Sequence, residues 1–256
     1  MFRLLPVVFI WMAGCQFSYA QVQSPEQFLG YKPGERYTPH WKIVQYFQHA
    51  AAQAPGMMKL QPYGETNEGR PLLLAFISSA EHISRLEQVR MNNLRLANLA
   101  ADRMAPLEEG APAIVWLSYN VHGNETSSSE AAMVTLYALL NPAESKTKEW
   151  LKNTVVIMDP CMNPDGRDRY VNWFNSVAGK KADPKPMARE HREPWPGGRT
   201  NHYNFDLNRD WAWQTQAESR QRANVYLEWM PHIHVDYHEQ WVDAHYYFAP
   251  AAQPYH

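Results

Sequence analysis

Two uninterrupted apolar runs, AIVWLSY (113–119) and TVVIMDP (154–160), constrain this chain more than any other feature. A strand with one wet face alternates polar and apolar residues. A run without alternation suits a strand covered on both faces, as in a parallel sheet. Between them, SSSEAAMVTLYALL (127–140) reads as a helix. Strand, helix and strand in that order form the crossover that parallel pairing requires.

The surrounding segments extend the pattern. HWKIVQYFQHAAAQ (40–53) places Trp41, Val44, Tyr46, Phe47, Ala50 and Ala51 at helical spacing. MKLQPYGETNEGRPLLLAFIS (58–78) reads as two strands joined by a Gly/Asn turn, and 83–103 as a second helix. The stretch 175–198 is rich in Lys, Pro and Gly, has no periodicity, and is expected to be a long loop. A helix around 214–229 and a strand, HIHVDYH (232–238), follow. The expected fold class is α/β: a mostly parallel or mixed twisted sheet with helices on both faces. In such sheets function gathers at the carboxyl ends of the strands.

The chain has 256 residues, 45% of them hydrophobic, which suits a globular core. A net charge of −2 gives no electrostatic basis for a nucleic-acid or anionic-membrane partner. Residues 1–20 stand apart. Arg3 precedes LLPVVFIWMAG, a run too short to span a bilayer, and Ser18-Tyr19-Ala20 offers small residues for a signal peptidase. We expect a secretory signal over 1–20, an extended lead-in over 21–38 and one domain over 39–256, in a secreted or periplasmic protein. Met12-Ala13-Gly14-Cys15 also resembles a bacterial lipobox, which would attach a lipid anchor to Cys15. Cys161 is then the only cysteine of the mature chain and has no internal disulfide partner. No other segment approaches transmembrane length.

The stretch NVHGNETSSSEAAM (120–133) puts His122 and Glu125 just past the end of a predicted strand. The bland reading is a surface pair with a glutamate near a helix start. The sharper one is a zinc site, which usually takes two ligands from a short spacer and a third from afar. PHIHVDYHEQ offers His232, His234 and His238, which alternate onto one strand face. His238 is favoured because it lies nearest the carboxyl end, 238 − 125 = 113 residues beyond Glu125.

HGNE (122–125), GGRTNHYNFDLNRDW (197–211) and VDYHE (235–239) resemble the zinc carboxypeptidases, particularly the branch of carboxypeptidases E, M and D. YGETNEGRPLLLAFIS (63–78) and MNPDGRDRY (162–170) are similar to two further family segments, so the likeness runs from about Pro39 onward. The resemblance implies one Zn²⁺ held by His122, Glu125 and His238, the ligand set known for carboxypeptidase A. It implies that Arg199 polarises the scissile carbonyl and steadies the oxyanion, that Asn208 and Arg209 grip the terminal carboxylate of a peptide or protein substrate, and that Asp206 orients the first histidine. A guanidinium fork suits a planar carboxylate. Against these stand plainer readings: Arg209 in a surface salt-bridge cluster with Asp206 and Asp210, Arg199 as solvated loop charge, and 163–166 as a structural turn. His191, His202 and His245 have no motif support.

The resemblance also implies a general-base glutamate, a capping tyrosine and most of the specificity pocket, all downstream of the last zinc histidine. Only 256 − 238 = 18 residues follow His238. Glu239, next along a strand, should face the other way. The chain is therefore expected to be the front part of a longer protein that by itself binds zinc weakly and turns over little. Asp210 replaces a usual asparagine, and the 175–198 loop is longer than usual. Alternatives are a zinc-dependent deacylase of acylated amino acids and a non-catalytic binder of C-termini.

Overall fold

A computed structural model describes residues 22–102, 104–141 and 143–240; the expected signal at 1–20, with Cys15, and His245 lie outside the described residues. The lead-in expected to run extended opens instead with a helix, α1 (Pro25–Leu29), closed by a reciprocal Ser24–Gln27 capping box. Val22, Leu29 and Tyr31 are buried and dock it on the domain. Helix α2 (His40–Gln53) buries Ile43, Tyr46, Phe47 and Ala50. Strands β1 (Met58–Glu65) and β2 (Pro71–Ile77) pair antiparallel. The helix expected over 83–103 is divided into α3 (Ala80–Ser84) and α4 (Leu86–Leu96), and ends before Asn98 turns left-handed at φ +64°.

Then follow β3 (Ala113–Tyr119), α5 (Ser127–Leu140), α6 (Ser145–Leu151), β4 (Thr154–Asp159), α7 (Pro164–Val177), α8 (Ala217–Trp229) and β5 (Ile233–Tyr237). The sheet order is β1-β2-β4-β3-β5. Strand β3 runs parallel to β4 and β5, whereas β2 is antiparallel to β1 and β4, so the sheet is mixed. Side chains alternate between its faces. Leu74, Phe76, Ile114, Trp116, Val155 and Ile157 meet Leu86 and Val89 of α4 and Val225 and Trp229 of α8. Ala75, Ile77, Val156 and Met158 meet α2 and α5 on the other side. The apolar runs lack alternation because both faces are covered. No described helix is long and apolar enough to cross a membrane.

The 163–166 stretch, expected to be a plain turn, starts α7: the Asn163 side chain accepts from Gly166 N–H at 3.0 Å and Pro164 takes the first helical position. The irregular loop accordingly begins after Val177 and includes a 3₁₀ turn at Arg189–His191. Helix α7 carries apolar Tyr170, Val171, Phe174 and Val177, but its buried face is chiefly polar, with Asp165, Arg167 and Asp168 lying there beside Val171. Arg167 is wholly buried; its Nε donates to Thr38 O at 3.0 Å, and Nη1 donates to Asn120 Oδ1 and Thr126 O, each at 2.9 Å. Its Nη2 meets Glu130 Oε1 at 2.9 Å, and Glu130 also accepts from the Thr38 amide at 2.6 Å. One guanidinium thus ties the lead-in, the loop after β3, α5 and α7 together. The buried thiol of Cys161 is pushed up to about 12 by burial and is no ready nucleophile.

Two outcomes follow for stability. Arg167→Met strands the Glu130 carboxylate without its counter-charge, and urea unfolding should show a loss of about 3–5 kcal/mol; Trp150→Ala, at an exposed site, should change stability by about 0.5 kcal/mol or less. Asp159, buried at the end of β4, accepts from Tyr63 OH at 2.8 Å, and burial pushes its carboxyl up to about 7 against the pull of Arg222. An unfolded aspartate titrates near about 3.9, so between those values the folded state holds more protons and stability falls as pH rises. Asp159→Asn removes that loss: the urea midpoint of the variant should gain on the wild type steadily from pH 4 to pH 7.5.

Candidate metal centre

Strands β3 and β5 are parallel neighbours, with Ser118 opposite Asp236 and Tyr119 opposite Tyr237. The residues that follow each strand therefore leave the sheet at the same level. After β3 the chain turns at Asn120, whose φ of +62° is one that asparagine tolerates better than most residues. Its Nδ2 donates to His122 O at 2.7 Å and Glu125 O at 3.0 Å, while its Oδ1 accepts from Arg167 and from Ser129 Oγ. Asn120 thereby folds 120–125 into a tight loop that turns both ionisable side chains toward β5.

His122 Nδ1 lies 2.7 Å from Glu125 Oε1, and His238 Nδ1 lies 3.1 Å from Glu125 Oε2. The imidazole rings are 5.1 Å apart, and one donor atom from each of the three residues falls within 4.8 Å of the others. Each outer ring nitrogen meets a carboxylate: His122 Nε2 is 3.1 Å from Asp206 Oδ1, and His238 Nε2 is 3.1 Å from Asp236 Oδ2. Two imidazoles and one carboxylate, with the outer nitrogens fixed by acids, form a donor set that suits zinc. His232 and His234 stay out of it. His232 Nδ1 accepts from the Ile114 amide, and His234 Nε2 meets Ser118 Oγ at 2.9 Å.

The electrostatics are those of a concentrated acidic site. Burial pushes the Glu125 carboxyl up, but hydrogen bonds from His122 and His238 outweigh it and hold the group at about 2. Hydrogen bonds to Asp236 and Glu125 raise His238 to about 10. Burial pushes Asp206 up, and the charges of His122 and Arg199 more than reverse it.

Arg199 reaches the same place. Its Nη2 pairs with Asp206 Oδ2 at 3.0 Å and its Nη1 stands 3.8 Å from Glu125 Oε1. Asn208 and Arg209 lie in the 3₁₀ turn Leu207–Arg209, whose start is fixed by the Asn208 amide donating to Asp206 Oδ1. The expected alternative of a surface ion-pair cluster does not form: among the described residues Arg209 pairs with no carboxylate, and Asp210 instead accepts from the Thr215 and Gln216 amides. Three glycines let these loops touch. A Cβ on Gly123 would sit 2.2 Å from Arg167 N and 2.4 Å from Gly198 O, and one on Gly166 would sit 2.3 Å from Gly198 O. That contact seats the loop carrying Arg199 directly on the one carrying His122.

Sequence reasoning missed Asn120, Arg167, Glu130 and Asp236. The first three are buried polar groups joined through Arg167, and that junction links residues remote in sequence. Asp236 had a signal, since residues two apart on a strand share a face and it stands two before His238. Glu239 turns to α5, where its Oε1 accepts from Ser127 N and Oγ, each at 2.6 Å. Of the unassigned histidines, His191 bonds Asp183 O and His202 bonds Glu68.

Comparison with known proteins gives a family match to the zinc carboxypeptidase model over residues 43–229. That segment contains His122, Glu125, Arg199, Asp206, Asn208 and Arg209 and ends 238 − 229 = 9 residues before His238. No curated protein matches. Among solved structures, thrombin-activatable fibrinolysis inhibitor superposes with a TM-score of 0.52 at 16% identity, covering 79% of this chain and 47% of that one. A metallo-carboxypeptidase from Burkholderia cenocepacia gives 0.51 at 16%, covering 80% and 42%. A candidate carboxypeptidase A from Shewanella denitrificans gives 0.50 at 19%, covering 80% and 41%. At these identities the likeness establishes the fold, and this chain spans less than half the length of each. The family match covers well over half of the chain, which belongs to the zinc carboxypeptidase family.

Proposed function

We propose that the protein is a zinc-dependent carboxypeptidase that hydrolyses C-terminal peptide bonds, with His122, Glu125 and His238 holding one Zn²⁺. The observation that carries this reading is the pair of Nδ1 atoms turned onto the two oxygens of Glu125, each ring backed by a second acid. When bound there, zinc would polarise a carbonyl and make water a nucleophile near neutral pH. The rest falls to the chain's own groups. Arg209, free of any carboxylate among the described residues, binds the substrate's terminal carboxylate with Asn208 beside it. Arg199 exchanges part of its contact with Asp206 for the carbonyl oxygen that becomes negative as water adds to the scissile bond. Asp206 keeps a proton on His122 Nε2, so that Nδ1 presents its lone pair.

No described carboxylate is assigned as general base. Glu239 is the nearest in sequence, and its side chain is engaged by Ser127. The proposal therefore places the base outside the described residues. The apolar leader over 1–20 supports a site of action outside the cytoplasm, with Cys15 as a possible lipid anchor.

The test uses full-length protein with matched peptides bearing free or amidated C-termini, and with N-acylated amino acids. Release of single residues from free ends alone, abolished by chelation and restored by zinc, is the expected result. Cleavage of acylated amino acids alone would mean a deacylase; retention of uncut peptide would mean a binder; either outcome ends the carboxypeptidase reading. Arg199→Ala should lower kcat about 10²–10³-fold with zinc content unchanged. Arg209→Ala should act chiefly on KM, and Glu125→Gln should lose the metal itself.

A further inference from the structure

Asp236 lies two residues before His238, on the strand face that carries His234 toward Ser118. Its Oδ2 is 3.1 Å from His238 Nε2 and its Oδ1 is buried with no protein partner among the described residues. A carboxylate with one oxygen sealed away needs positive charge nearby.

We propose that Asp236 is a positioning residue: it holds the proton of His238 on Nε2 and locks the ring so that Nδ1 points at Glu125. The arrangement mirrors that of His122, whose outer nitrogen meets Asp206 from a different loop. The metal-facing geometry of both rings would then be set from behind by a dedicated acid, one borne on β5 itself and the other on the 3₁₀ segment. This rests on the zinc reading for its consequence, while the Asp236–His238 contact itself is a matter of strand geometry.

The experiment is zinc affinity by chelator competition on full-length Asp236→Ala and Asp236→Asn, together with ¹⁵N-histidine NMR of each protein with and without zinc. The His238 signals are assigned by their loss in His238→Asn. Wild-type protein should show a solvent-protected His238 Nε2–H resonance in both states. Asp236→Ala should lose that resonance and bind zinc about 10–100-fold more weakly. Asp236→Asn still offers an acceptor oxygen and should keep the resonance, with affinity within about threefold of wild type. Wild-type affinity and a retained resonance in Asp236→Ala would overturn the proposal, as would weakened binding with the resonance intact. Should Asp236→Ala fail to fold, loss of the resonance and of zinc in Asp236→Asn would count against it equally. A wild-type protein that takes up no zinc yet shows an Asp236-dependent resonance would instead sink the carboxypeptidase reading and leave the contact standing.

Discussion

The parallel pairing of β3 with β5 is the constraint on which the site depends. Because Ser118 and Asp236 share one rung, the loops that follow the two strands begin side by side. A slip of one residue in this register would turn His238 to the opposite face of the sheet and away from Glu125. Register is held by what each face buries. Trp116 packs among Ile114, Val155 and Ile157 beneath α8, while Tyr237 stacks on Tyr119 with ring centres 4.4 Å apart on the other side. The distance between the two candidate imidazoles is thus set by core packing well below them.

Above the sheet the loops hold their shape through buried polar contacts. Arg167 contributes four hydrogen bonds to three segments and pairs with Glu130 where water is excluded. In such a place a lost partner costs far more than a surface ion pair contributes. Arg70 does the same on the flank of α7, meeting Asp165 at 2.7 Å and Asp168 at 2.8 Å, and so fastens the β1–β2 turn to that helix. The Gly123, Gly166 and Gly198 contact adds backbone-to-backbone proximity that no side chain would permit. A rigid lattice of loops results, in which the acidic groups cannot drift apart to relieve their mutual repulsion.

The contrast between what the residues revealed and what they concealed follows from the same physics. The strands and the helices α2, α5 and α8 were legible from their sequence patterns, most plainly β2 and β4, which bury apolar side chains along almost their whole length, and α2, which buries Ile43, Tyr46, Phe47 and Ala50 at helical spacing. Helix α7 was not. Its inner face is Asp165, Arg167 and Asp168, whose satisfaction depends on Thr38, Asn120, Glu130 and Arg70, residues scattered over a hundred positions. Helix α1 was hidden by its polar composition, although Ser24 and Gln27 carry a capping signal. The candidate donors His122, Glu125 and His238 were recognised through motifs, and the structure brings them together. Asp236 was overlooked because the motif drew attention to the histidine and away from the strand geometry that pairs the two.

The charge balance around Glu125 gives an independent reason to expect a cation there. Three carboxylates, Glu125, Asp206 and Asp236, surround two imidazoles, and each ring is held between two acids. His238 presents Nδ1 to Glu125 and Nε2 to Asp236, and Arg199 leans on Asp206 while approaching Glu125. A divalent ion among the inner donors would take over that neutralising task from His238 and Arg199 together. To hold it the inner Nδ1 atoms would have to be free of protons, while the Nε2 proton of His238 would stay on the ring, hydrogen-bonded to Asp236. The ion would also release the guanidinium to face a substrate. The same acids that would hold the ion also hold Arg199, so that metal binding and the freeing of that guanidinium would be two consequences of one change in charge.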